Sequence, residues 1–161
     1  MARIEVPRDV IEVRLALWAL GLNFAWEMLQ GGLFVGMTAM PWWEATKLCA
    51  KASLGDAAMI LLAYEAVAIA ARDRRWIFAA NALKLTAYAA MAAFLGLALE
   101  WYSLRLGRWR YGPWMPVDPL LGLGLGPLLQ WVFLPLSSLW MARRGLRRST
   151  GVPATASPCP R

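Results

Sequence analysis

Four long apolar runs, at about 15–37, 54–71, 76–104 and 120–142, set the limits on what this 161-residue chain can fold into. An α-helix rises about 1.5 Å per residue, so roughly 20 apolar residues cross a hydrocarbon core about 30 Å thick. The second run is the shortest, and the third is long enough that it must tilt or extend beyond the bilayer. The fourth is broken by Gly122, Gly124, Gly126, Pro127 and Pro135. Hydrophobic residues make up 60% of the chain and charged residues 17%, against roughly 45–50% and about 25% in soluble domains. One water-soluble core cannot absorb that much apolar surface. The expected fold is all-α: an integral-membrane four-helix bundle, with a single transmembrane domain over 1–148. The small, polar, proline-rich tail over 149–161 is expected to be disordered.

The formal net charge of +7 would point to nucleic acid in a soluble chain. Here it reads as topology, and no nucleic-acid partner is expected. Eleven of the seventeen basic residues fall on one side of the runs: Arg3, Arg8, Arg14, Arg72, Arg74, Arg75, Arg143, Arg144, Arg147, Arg148 and Arg161. Lys47, Lys51, Arg105, Arg108 and Arg110 fall on the other, and Lys84 lies inside run three. The positive-inside rule then places both termini in the cytoplasm. Residues 2–13 mix acids, arginines and aliphatics, and read as an interfacial lead-in, not a signal peptide. Cys49 and Cys159 come out on opposite sides and should not pair.

The connections carry signals too. Met40-Pro41-Trp42-Trp43 puts a helix breaker beside two tryptophans, which suits a segment at headgroup level. Gly107 to Pro116 is aromatic, basic and rich in breakers, and reads as an ordered loop on the membrane surface. The segment 120–126 must partly enter the membrane, either as helix or as irregular chain buried against protein. Its alternating Gly122, Gly124 and Gly126 would allow close approach of a second copy or a membrane partner.

Polar groups inside spanning helices are costly and therefore stand out as functional candidates. Asn23, Glu27 and Gln30 are spaced i, i+4, i+7 and share a helix face, flanked by Trp26. Glu27 is either a working acid or a packing hydrogen bond. Cys49, Ser53 and Asp56 form a second such stripe, and Ser53 and Asp56 could equally cap a helix. Glu65 and Lys84 lie at similar depth from the same side and are expected to form a structural ion pair across two antiparallel helices. Glu100 and Trp101 close run three, Arg108, Arg110 and Tyr111 follow, and Gln130 sits in run four beside Trp131. The topology puts Glu27, Asp56 and Glu100 on one side, where they could converge with the arginines on a site. Alternatively, Asp56 and Glu100 neutralise those arginines at the headgroups.

With no histidine in the chain, Ser-His and Cys-His catalysis, His-ligated haem and His-containing zinc sites are excluded. Proton chemistry must fall to carboxylates. The expected catalytic groups are Glu27, Asp56 and Glu100, with Asn23, Trp26, Gln30, Trp101, Arg108, Arg110, Tyr111 and Gln130 as substrate contacts. No metal and no cofactor is expected, and no two acids other than Asp9 and Glu12 stand within three residues of each other.

Asn23-Phe24-Ala25-Trp26-Glu27 resembles the N-x-x-W-E stretch of integral-membrane terpene cyclases. That resemblance implies Glu27 as a proton donor to an alkene or epoxide, with aromatic walls steadying the carbocation. It spans five residues, and those cyclases are longer and use a second acid. As a whole, the chain resembles a family of small, uncharacterised bacterial polytopic membrane proteins with segments similar to NFAWEMLQ, SLGDA and GRWRYGPWMP. This implies a multi-pass protein of the bacterial plasma (inner) membrane and supplies no activity. Two functions stay open: an acid–base cyclase or isomerase acting on a lipid-soluble, isoprenoid-like substrate, or a non-enzymatic module such as an assembly factor, lipid-binding subunit or small carrier. The partner in the first case is a membrane lipid or lipid-soluble small molecule.

Overall fold

The computed structural model describes residues 8–150. They form four helices, α1 (Arg8–Gln30), α2 (Trp42–Ala70), α3 (Ala82–Arg105) and α4 (Leu125–Thr150), with no strand among the described residues. Helix α1 packs on α2 and α4, and α3 packs on the same two. Consecutive helices are thus antiparallel neighbours around a four-cornered bundle. Helices α2 and α3 and the stretch 125–146 of α4 are each long and apolar enough to cross a membrane.

The helix limits differ from the apolar runs for local reasons. Helix α1 starts at Arg8, absorbing part of the expected lead-in, and gives way at Gly31 to two short 3-10 turns, Gly31–Leu33 and Met37–Ala39. Pro41 starts α2 instead of merely interrupting the chain: its carbonyl accepts from Glu44 N and Ala45 N at 2.9 and 3.1 Å. The shortest apolar run, all but its last residue, therefore lies within a helix reaching back to Trp42. Helix α3 begins later than run three, because Asn81 Oδ1 accepts from Lys84 N at 3.0 Å and caps it. The apolar residues before that cap belong to a buried connection, where Trp76 packs against Tyr64 and Tyr88 at centroid distances of 5.2 and 5.8 Å.

Segment 120–126 is irregular as far as Gly124. Asp118 Oδ1 accepts from Leu120 N and Leu121 N, Asp118 N donates to Leu123 O, and Gly122 takes a φ of 67°. Helix α4 then runs on through Thr150, so residues 149 and 150, expected in the tail, are helical. The rest of that tail, with Cys159, lies outside the described residues, as do 2–7 of the lead-in.

The packing buries several polar groups beside an apolar core and leaves large apolar groups outside. Asn23, Gln30, Ser53, Gln130 and Ser138 are buried, while Leu83, Phe94, Val132, Phe133 and Trp140 are exposed. Helix α1 shows why it is not among the three helices apolar enough to span. Its outward face carries Val13, Leu17, Trp18, Met28 and Leu29, but Arg14, Asn23, Glu27 and Gln30 lower its mean hydropathy.

Candidate functional site

Helical periodicity turns Asn23, Glu27 and Gln30 toward the bundle interior at the end where α2 and α4 begin. Asn23 and Gln30 are buried and Glu27 is half-buried. Asn23 Nδ2 is tied to Ala19 O at 2.7 Å, which leaves Oδ1 facing across the bundle. The Gln30 amide N–H2 donates to Glu27 Oε1 at 2.9 Å and to Gln130 Oε1 at 2.8 Å, while its own carbonyl accepts from Trp26 Nε1 at 3.1 Å. Gln130, from α4, uses its two N–H groups in turn on Asn23 Oδ1 and Asp56 Oδ2, both at 2.9 Å. Both glutamine side chains thus have every N–H engaged, and three helices are joined through them.

The close approach of α4 needs Gly126. A Cβ there would fall 2.6 Å from Gln30 Oε1, shorter than any real contact of that kind. Gly124 likewise leaves room for Met115, whose Sδ would lie 2.9 Å from an added Cβ. Two of the three glycines expected to face a partner are therefore occupied by this chain's own side chains. Gly122 has open space around it.

Helix α3 adds Glu100, which is buried. Its Oε1 accepts from Tyr111 Oη at 2.7 Å and from Trp109 Nε1 at 3.2 Å. Both donors come from the loop between α3 and α4. Extended chain alternates sides with a period of two, so Trp109 and Tyr111 point one way and Arg110 the other. That alternation was the available signal for Trp109, which sequence reasoning did not include among the site residues. The loop is fixed to the α1–α2 connection by Val35 N to Arg110 O at 2.9 Å and Gly112 N to Leu33 O at 2.8 Å. Burial pushes the Tyr111 phenol above its ordinary range; a backbone N–H at Gly124 opposes this and the Glu100 carboxyl beside it adds to it.

Glu27, Asp56 and Glu100 lie within electrostatic reach of one another, and no described lysine or arginine forms an ion pair with any of them. Here the expected convergence of acids with arginines is corrected. Arg105 stands over the exposed Trp101 ring at 5.0 Å, Arg108 over Tyr102 at 5.6 Å, and Arg110 is exposed. Trp101, Arg108 and Arg110 thus stand apart from the cluster, because Glu100 takes its donors from neutral aromatic side chains. The capping alternative for Ser53 and Asp56 also falls, since α2 begins at Trp42 and both lie well inside it. Ser53 Oγ bonds back to Cys49 O at 2.7 Å, and the free Cys49 thiol approaches Glu27 O at 3.6 Å.

The expected Glu65–Lys84 pair is replaced. Glu65 Oε2 takes Arg74 Nη2 at 3.2 Å, and Lys84 sits in the first turn of α3, one turn from the helix end and not deep in a span. The reason is the later start of α3 at the Asn81 cap.

The arrangement offers three carboxyl groups, of which Glu27 and Asp56 are half-buried, and neutral donors that orient them. Such groups can give and take protons or hold a polar head by hydrogen bonds. No protein-family model matches the chain, and no curated protein or solved structure matches it either.

Proposed function

We propose that this chain is a multi-pass protein of a bacterial plasma membrane, with α1 as a fourth span and both termini cytoplasmic. In this reading its carboxyl cluster acts as an intramembrane acid–base site on a lipid-soluble, isoprenoid-like molecule. The observation that carries the reading is that Glu27 and Asp56 are linked through Gln30 and Gln130, with Glu100 within electrostatic reach and no ion pair to any of the three among the described residues. Carboxyl groups that are buried or half-buried and held only by neutral donors suit proton transfer better than static charge pairing, which would place a basic partner beside each. Glu27 acts as the acid toward an alkene or epoxide. Asp56 takes a proton back, and Trp26 and Trp109 supply aromatic faces next to the reacting carbon. The span assigned to α1 is supported by its apolar outward face, because a helix in lipid hides its polar side chains and shows its apolar ones.

The test is deuterium transfer. The full chain in lipid nanodiscs is incubated in heavy water with a panel of isoprenoid alkenes and epoxides, and products are read by mass spectrometry. The expected result is an isomerised or cyclised product carrying deuterium, lost in Glu27→Gln while the variant keeps its detergent melting profile. Turnover unchanged in Glu27→Gln sinks the acid assignment. A folded chain that turns over nothing in the panel favours a non-enzymatic membrane module.

A further inference from the structure

At the opposite end of the bundle, Ile11 and Glu12 of α1 and Arg72 to Arg75 of the α2–α3 connection line a cavity of about 510 Å³. The connection is held in shape from below. Tyr64 Oη donates to Arg74 O at 2.6 Å, Trp76 N donates to Asp73 O at 3.2 Å, and Asp73 Oδ1 accepts from Arg75 N at 2.8 Å. Arg72 is held at a φ of 50°, in the left-handed region that non-glycine residues seldom adopt. The charges in the wall are of both signs, with three arginines alongside Glu12 and Asp73. Arg74 is shared with Glu65, and Glu12 Oε2 is buried with no hydrogen-bond partner among the described residues. A buried carboxylate oxygen without a donor is costly, and the groups that satisfy it best are cationic N–H donors.

We propose that this cavity binds a zwitterionic phosphate–ammonium group, the headgroup of a phospholipid bearing a primary amine. The guanidinium group of Arg72 faces the phosphate, and Glu12 with Asp73 receives the ammonium. A purely anionic headgroup would leave Glu12 Oε2 without a donor. A quaternary ammonium would bring no N–H to Glu12 Oε2. Basic pockets at helix ends are suited to lipid headgroups, since such ends lie at headgroup depth. The source is set by this membrane placement, while the charge pattern would serve the free phosphoamine as well. The inference shares the membrane orientation proposed above but does not depend on the carboxyl cluster.

The experiment is native mass spectrometry of the full chain in detergent, with short-chain phosphatidylethanolamine, phosphatidylcholine, phosphatidylglycerol and free phosphoethanolamine titrated separately. The expected result is binding of phosphatidylethanolamine about tenfold tighter than either other lipid, the effect of one charge-assisted hydrogen bond. Glu12→Gln should erase the preference over phosphatidylcholine. Arg72→Gly, which relieves the left-handed backbone while removing the guanidinium, should weaken phosphatidylethanolamine about tenfold. Free phosphoethanolamine binding as tightly as the lipid keeps the site and assigns it to a soluble ligand. Equal binding of the three lipids overturns the proposal, and this comparison on the unaltered chain decides it even where a variant fails to fold. Failure of deuterium transfer at Glu27 leaves the result untouched.

Discussion

Gly96 of α3 lies directly against the indole of Trp131 on α4, so closely that a Cβ at position 96 would overlap Trp131 Cε2 and Cδ2. This contact sets the distance between two helices that each bring a site residue: Glu100 stands one turn beyond Gly96, and Gln130 is the neighbour of Trp131. Gly96→Ala is therefore expected to cost about 1–3 kcal/mol through overpacking, seen as a lower melting temperature in detergent. Pairing it with Trp131→Leu should recover much of the loss. Equal melting of Gly96→Ala and wild type would falsify the close contact.

Gln130 joins Asn23, Asp56 and Gln30. Gln130→Leu leaves each of those partners short of a bond, at roughly 1–3 kcal/mol for a buried group left unsatisfied. Because Gln30 shares the network, Gln30→Leu and Gln130→Leu should be non-additive by at least about 0.5 kcal/mol in a double-mutant cycle. Simple additivity would show that the two amides do not act together.

Tyr111 gives a pH prediction with a definite sign. Its phenol is raised in the folded chain, chiefly by burial. Above about pH 10 the unfolded chain ionises its tyrosines freely while Tyr111 in place resists. Stability is thus fully present below that pH and falls as the pH rises through the higher folded value. Melting curves between neutral and strongly alkaline pH should show this decline, and Tyr111→Phe should flatten part of it. An identical alkaline decline in Tyr111→Phe would remove Tyr111 as a contributor.

At the start of α3, Asn81 and Lys84 play unequal parts. Asn81→Ala removes the cap on Lys84 N and should cost about 1 kcal/mol. Lys84→Gln should change stability by no more than about 0.5 kcal/mol, as at an ordinary surface position. Strong coupling between Lys84→Gln and Glu65→Gln would restore the ion pair that the Arg74 contact replaces.

Much of this was legible in the sequence for one reason: periodicity reports faces. The i, i+4, i+7 spacing put Asn23, Glu27 and Gln30 together, and the count of four helices followed from the apolar runs. Helix ends were less legible, because hydropathy does not distinguish a buried connection from a span. Trp76 and Ile77 are apolar because they are buried in a turn, and reading them as helix puts Lys84 more than a turn too deep. The arginines of the α3–α4 loop were misplaced by a different error: charge attraction suggested that they would seek Glu100, whereas the extended chain turns Trp109 and Tyr111 toward it instead. Gly126 signalled close packing correctly, but spacing alone could not say whether the neighbour was a partner or Gln30 of the same chain.

The bonds between Val35 and Arg110 and between Leu33 and Gly112 fasten the two connections at the carboxyl end to each other, whereas one connection, 71–81, crosses the other end. Those two connections are in effect stitched together. In the proposed orientation, a molecule bound for Glu27 or Asp56 arrives sideways between helices, out of the oil. On that proposal, solubility in lipid would filter its visitors before any side chain tests their shape.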